Sequence, residues 1–166
     1  MSLNHIMTEQ YETHTVVVDN LDHTNKTDFT AFLPVALEDV VRAQLVAASI
    51  NTNGDAQRCL HINIEELRTT FSQRAKADLA SGSDNHLNGL FGTILCQHIL
   101  HAGGSNQKAV FFRDDYPIVR DFLTPIQKLD RLSLNIDKQN GDSAGLTDAI
   151  FIFKFTCKRK MMPMVR

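Results

Sequence analysis

Apolar and polar residues alternate with period two along much of this chain, the spacing of a strand with one buried face. The clearest run is AIFIFKFT, Ala149–Thr156, with Phe151, Phe153 and Phe155 on one face and Ile150, Ile152, Lys154 and Thr156 on the other. Three phenylalanines at that spacing predict a core stripe, each ring contributing at about 25 cal/mol per Å² buried. In KLDRLSLNIDK, Leu132, Leu134 and Ile136 form an apolar face, while Arg131, Ser133, Asn135 and Asp137 form a polar one that also takes in Leu129. The loop DKQNGDSAG joins these two runs.

Earlier segments follow the same rule. TVVVD (Thr15–Asp19) is β-branched and reads as a strand, and NLDHTNKTD after it collects side chains that bond their own backbone in turns. FTAFLP is extended and expected to stop at Pro34, which has no N–H for a ladder. VVRAQLVAASI (Val40–Ile50) fits a strand or a helix through Val41, Leu45 and Ala48; strand is preferred, closed by the turn NTNGD. CLHINI turns Leu60, Ile62 and Ile64 inward, LFGTILCQHIL and KAVFFR are further strands, and DDYP breaks the latter. One helix is expected over 65–80, where Leu67, Phe71, Ala75 and Leu79 recur every four residues, with Asn63 as cap and Glu66 reaching back.

About eight strands with one short helix in a long loop give an all-β, antiparallel β-sandwich. No strand–helix–strand alternation points to a parallel sheet, and eight strands with long connections favour a jelly roll over other sandwiches or barrels. The expected layout is an N-terminal arm at 1–13, a sandwich domain at 14–158 and a basic, Met-rich arm at 159–166.

With 166 residues the chain can bury a sizeable core as one domain. Lys and Arg number 17 against 19 Asp and Glu, so no basic excess favours strong nucleic-acid binding. Three cysteines, Cys59, Cys96 and Cys157, are too few for a disulfide framework and suit a reducing compartment. No apolar run approaches the roughly 18 residues of a membrane span, and MSLNHIMTEQYETH lacks the form of a secretory signal. Synthesis in the cytoplasm is the expectation.

Candidate chemistry is sparse. Cys59 with His61, and Cys96 with His98, are pairs on strand faces of the kind zinc accepts, but structural zinc usually sits on tight knuckles that neither strand supplies. His98 and His101 lack the neighbouring carboxylate of a cupin-like metal centre. GDS (Gly141–Ser143) and GSD (Gly82–Asp84) do not sit on strand–turn–helix elbows. Asp114 and Asp115 read as a solvated turn, and Lys158–Lys160 as weak contact with phosphate or, equally, as part of an arm that docks on a neighbour. No catalytic, cofactor or metal residue is assigned, and the expectation is a non-enzyme. A carbohydrate- or peptide-binding sandwich stays open, through loop residues Asn85, His86, Asn106 and Tyr116; the lack of Trp weakens a sugar platform.

HTVVVDNLDHTNKTDFTAFLP, VRAQLVAASINTN, CLHINIEEL, FGTILCQ, Tyr116-Pro117 and above all LDRLSLNIDKQNGD together resemble the single jelly-roll minor capsid and vertex (penton) proteins of large double-stranded DNA viruses. The likeness spans about Val16 to Phe155 and is one of strand pattern and spacing. It departs after the first Asp, where NLDHTN stands in place of the usual Arg or Lys. The resemblance implies a structural virion protein in the icosahedral shell, without catalysis or cofactor. Its partners would be the major capsid protein or copies of itself, as a homo-oligomer up to a pentamer.

Overall fold

The computed structural model describes residues 10–53, 58–68, 87, 89–96, 98–100 and 107–159, with the backbone alone at 53, 98–100 and 107–116. Seven strands carry the fold: β1 (Tyr11–Asp19), β2 (Asp28–Asn53), β3 (Cys59–Ile64), β4 (Leu90–Leu95), β5 (His98–Leu100), β6 (Gln107–Lys138) and β7 (Leu146–Lys158). Every pairing is antiparallel, in the order β1-β7-β2-β6-β3-β4, with β5 on β6. The all-β, antiparallel expectation holds.

The strand count differs from the expected eight for local reasons. FTAFLP and Val40–Ile50 are one strand, β2, and KAVFFR runs through DDYP into the LDRLSLNID strand as β6, while LFGTILCQHIL divides into β4 and β5. Proline is expected to end strands, yet Pro34, Pro117 and Pro125 all lie inside them. Each falls where the β2–β6 register shifts: between Phe32 and Leu37, opposite Leu45–Ala47, and opposite Val40–Arg42. A bulge leaves a residue outside the ladder, so a missing N–H costs nothing there.

Those shifts bend the long pair. β7 borders β2 only from Val40 to Thr52, and β3 borders β6 only from Leu134 to Lys138. Asp39, just before the β7 contact begins, takes φ 50°, a left-handed conformation that a short polar side chain tolerates best. The sheet therefore folds over, and strands remote in the pairing order meet face to face. Phe91 of β4 packs edge-on to Phe153 of β7 at 6.1 Å between ring centroids, and Phe29 of β2 lies 6.5 Å from Phe151.

Between the two layers lies the core. Phe151, Phe153 and Phe155 are fully buried and stack at 6.2 and 6.1 Å, in keeping with their spacing. Leu60, Ile62, Ile64, Leu132, Leu134 and Ile136 are buried as well. Leu129, the misfit of the polar set, is buried too, because the shift between Phe32 and Leu37 changes which face of β6 looks inward.

The NLDHTNKTD loop makes the expected local bonds. Asp19 Oδ1 accepts from the Leu21 N–H (2.7 Å) and Asn25 Oδ1 from the Thr27 N–H (3.1 Å). Asn20 is buried and ties the loop to β7, its Oδ1 accepting from the Ala149 N–H at 2.7 Å. Of the expected helix, Glu65–Leu67 is a single 3-10 turn, and the rest lies outside the described residues. Asn63 does not cap it; Ile64 holds that position without a side-chain bond, and Asn63 Nδ2 donates to Asp137 Oδ2 at 3.0 Å. The arm segments 1–9 and 160–166 also lie outside the described residues. Tyr11–Thr13, within the expected N-terminal arm, are strand residues paired with Thr156–Lys158.

Candidate assembly surface

Open strand edges and exposed apolar side chains are the surface features that strand geometry dictates here. β1 ends the pairing order, so one of its edges has no neighbour among the described strands. Its register with β7 runs unbroken from Tyr11↔Lys158 to Asp19↔Ile150. Val16 and Val18 face inward, whereas Val17 (58 % exposed) faces out. Among the described strands, β4 at the other end of the order and the first part of β2, before Val40, also have an edge without a neighbour, and the β2 segment carries Phe32 and Val35, each 75 % exposed. Leu123 projects fully into solvent from the β6 bulge, and Leu95 and Leu21 are also exposed.

On the outer face of the β1-β7-β2 layer, Tyr11, Val41, Arg42, Asp121 and Thr156 line an open groove of about 340 Å³. One ion pair lies along it: Arg42 Nε donates to Asp121 Oδ1 at 2.5 Å and Nη2 to Oδ2 at 3.2 Å, across the Arg42↔Asp121 register position. The Asp121 carboxyl is held below the usual range, chiefly by the hydrogen bond from Arg42; burial opposes this, and the Arg42 charge adds a smaller lowering effect. On the other layer, Glu66 accepts from the Ser133 N–H (2.8 Å), Ser133 Oγ (2.9 Å) and Arg131 Nε (3.2 Å), pinning the 3-10 turn to β6.

Cys59 and His61 do share a face of β3, but His61 Nδ1 is hydrogen-bonded to Thr93 Oγ1 at 3.0 Å. Cys96 packs toward the core, and burial, with a smaller effect of Cys59, pushes its thiol up to about 12. Among the described residues no three His, Cys, Asp or Glu side chains come together as a metal site. Gly141–Ser143 form the turn between β6 and β7, where the Gly141 N–H donates to Lys138 O at 2.9 Å. The side chains of His98, Asp114, Asp115 and Tyr116, and all of Gly82–Asp84, Asn85, His86, His101 and Asn106, lie outside the described residues. Neither the Arg42–Asp121 pair nor the Glu66 clamp is legible in the sequence, since their partners are 79 and 65 residues away. Among the described residues no helix is long and apolar enough to cross a membrane.

No protein-family model matches the chain, and no curated protein matches it. Solved structures similar to it include the infectious bursal disease virus VP2 subviral particle, at 10% identity and a TM-score of 0.29 over 95% of this chain. The chain spans 37% of that protein's length.

Proposed function

We propose that this chain is a structural virion protein, a minor capsid or vertex subunit in the icosahedral shell of a large DNA virus, with a single jelly roll as its body and no catalytic role. Strand order carries the reading. Cutting β2 at Asp39 and β6 within 122–125 gives two groups of four, with the short β5 added at the early β6 edge: β1, β7, late β2 and early β6; then early β2, late β6, β3 and β4. Except for β3 and β4, paired neighbours within each group are distant in the chain, and β2 and β6 each pass from one group to the other at a bend. This order supports reading the body as two interleaved Greek keys, the arrangement of jelly rolls in capsid domains, lectins and cupins.

The sequence resemblance selects the capsid role from among those uses. Open edges and protruding Phe32, Val35 and Leu123 suit a subunit whose neighbours cover them. On this reading the partners are the major capsid protein or further copies of this chain, up to a pentamer, and the location is the virion, after synthesis in the host cytoplasm. The residues of the N- and C-terminal segments are on this reading further contact surface, with Met161, Met162 and Met164 as adaptable apolar side chains.

Imaging of the intact particle tests this, with density for the chain expected at a vertex or beneath the major lattice. Negative-stain microscopy of the pure protein should show rings or lattice fragments. Absence of the chain from purified particles, or a substrate turnover by the isolated protein, would overturn the proposal.

A further inference from the structure

We infer that β1 pairs edge to edge with β1 of a second copy, antiparallel about a two-fold axis at Thr15, joining two sheets into one. The inference stands on strand geometry and does not depend on the virion reading.

Backbone parity comes first. The Arg159 N–H donates to Gln10 O (2.8 Å) and the Asn20 N–H to Ala149 O (3.2 Å), which makes the even-numbered residues of β1 the ones bonded to β7. In an antiparallel ladder both backbone groups of a residue point to the same side, alternating along the strand. Thr13, Thr15 and Val17 therefore direct N–H and C=O away from β7, toward the open edge.

Most edges are blunted by Pro, Lys, bulges or shortness. The early β2 edge has Pro34, a register break and the left-handed Asp39, β4 at the other end of the order carries Gly92 and a register shift, and β5 is three residues long. β1 has none of these devices: nine residues, no proline, glycine or lysine, and no register shift. Its centre, THTVVV, is β-branched at all positions but one.

The strand is also complementary to itself. Centring on Thr15 sets Thr15 against Thr15, Thr13 against Val17 and Tyr11 against Asp19, so that outward-pointing groups meet outward-pointing groups over the full strand. The carboxylates of Glu12 and Asp19 then face Val18 and Tyr11, and no like charges oppose each other. Asp19 of one copy comes one strand away from Lys158 of the other, which pairs with Tyr11. Moving the axis one residue toward the N-terminus sets His14 against His14, and moving it one residue toward the C-terminus sets Tyr11 against Leu21, past the end of the strand. Thr13, Thr15 and Val17 alone supply about six inter-chain hydrogen bonds, and Val17 gains Thr13 of the other copy as a cross-strand neighbour. The buried area is below the roughly 800 Å² per partner of stable complexes, so the dimer is a weak one.

Sedimentation of the full chain at tens of micromolar should show a reversible dimer. Thr15→Pro removes an outward N–H that the fold does not use, and should give a monomer with an unchanged thermal transition. Thr15→Cys places the two thiols about 5.5 Å apart at the Cα atoms, within disulfide reach, whereas Val17→Cys sets them about 13 Å apart along the strand. In oxidised glutathione the first should form a covalent dimer about tenfold faster than the second or the parent, through its raised effective concentration. A strictly monomeric parent, a Thr15→Pro variant that still dimerises, or equal cross-linking at 15 and 17 would each overturn the inference. If Thr15→Pro does not fold, the cross-linking comparison decides.

Discussion

A Cβ atom placed on Gly92 would lie 2.3 Å from Ile118 Cγ2, a contact that real side chains do not make. Gly92 is on β4 and Ile118 on β6, on opposite layers of the sandwich, so the missing side chain lets Ile118 fill the gap. Gly92→Ala should destabilise the fold by about 1–3 kcal/mol, the usual cost of overpacking. Ile118→Ala should cost less in the Gly92→Ala background than in the parent, and a double-mutant cycle by urea denaturation measures that coupling.

Glu66 holds the Ser133 N–H, the Ser133 hydroxyl and the Arg131 guanidinium with one carboxylate. Glu66→Ala leaves a partly buried backbone donor without its partner, at an expected cost of about 1–3 kcal/mol. Glu66→Gln keeps an acceptor and should lose less. Hydrogen exchange at Ser133 should accelerate in the alanine variant first.

The Arg42–Asp121 pair is more than half exposed on both sides, so solvent screens it. Asp121→Asn should cost less than about 1 kcal/mol at neutral pH. Because folding lowers the Asp121 pKa, its contribution is present above the ordinary carboxylate range and fades as pH falls through the folded value. Unfolding curves of parent and variant should converge in acid.

All three thiols sit above the ordinary value near 9, chiefly through burial, and Cys96 reaches about 12. Native protein should react slowly with a thiol reagent at mildly alkaline pH, and all three cysteines should react once it is unfolded. Past the ordinary value the unfolded chain ionises while Cys96 in the fold stays protonated, so stability should decline from about pH 9 toward 12. Replacing Cys96 with Ala should flatten that decline.

Period-two patterning makes the all-β class and the inward faces of β3 and β7 legible in the sequence alone, because side-chain burial is a local consequence of the pleat. Val40–Ile50, compatible with either period, is strand because β6 and β7 flank it on both edges. What stays hidden depends on register. Whether Pro34 or Pro117 ends a strand depends on a bulge, and a bulge is a property of two paired segments rather than of either one. The Arg42–Asp121 pair and the Glu66 clamp are hidden for the same reason: neither partner carries a local mark of the other. Open edges are also invisible until the pairing order is known, since β1 looks no different in sequence from a central strand.

β2 and β6 run together from Asn53↔Gln107 to Asp28↔Asn135, through both layers of the sandwich. This long strand pair is a spine: neither half of the molecule owns all of its strands, so neither can melt while the other persists. Heat or denaturant should dismantle the body in one cooperative step, and a pull on one layer passes along two unbroken backbones into the other rather than through a linker that yields.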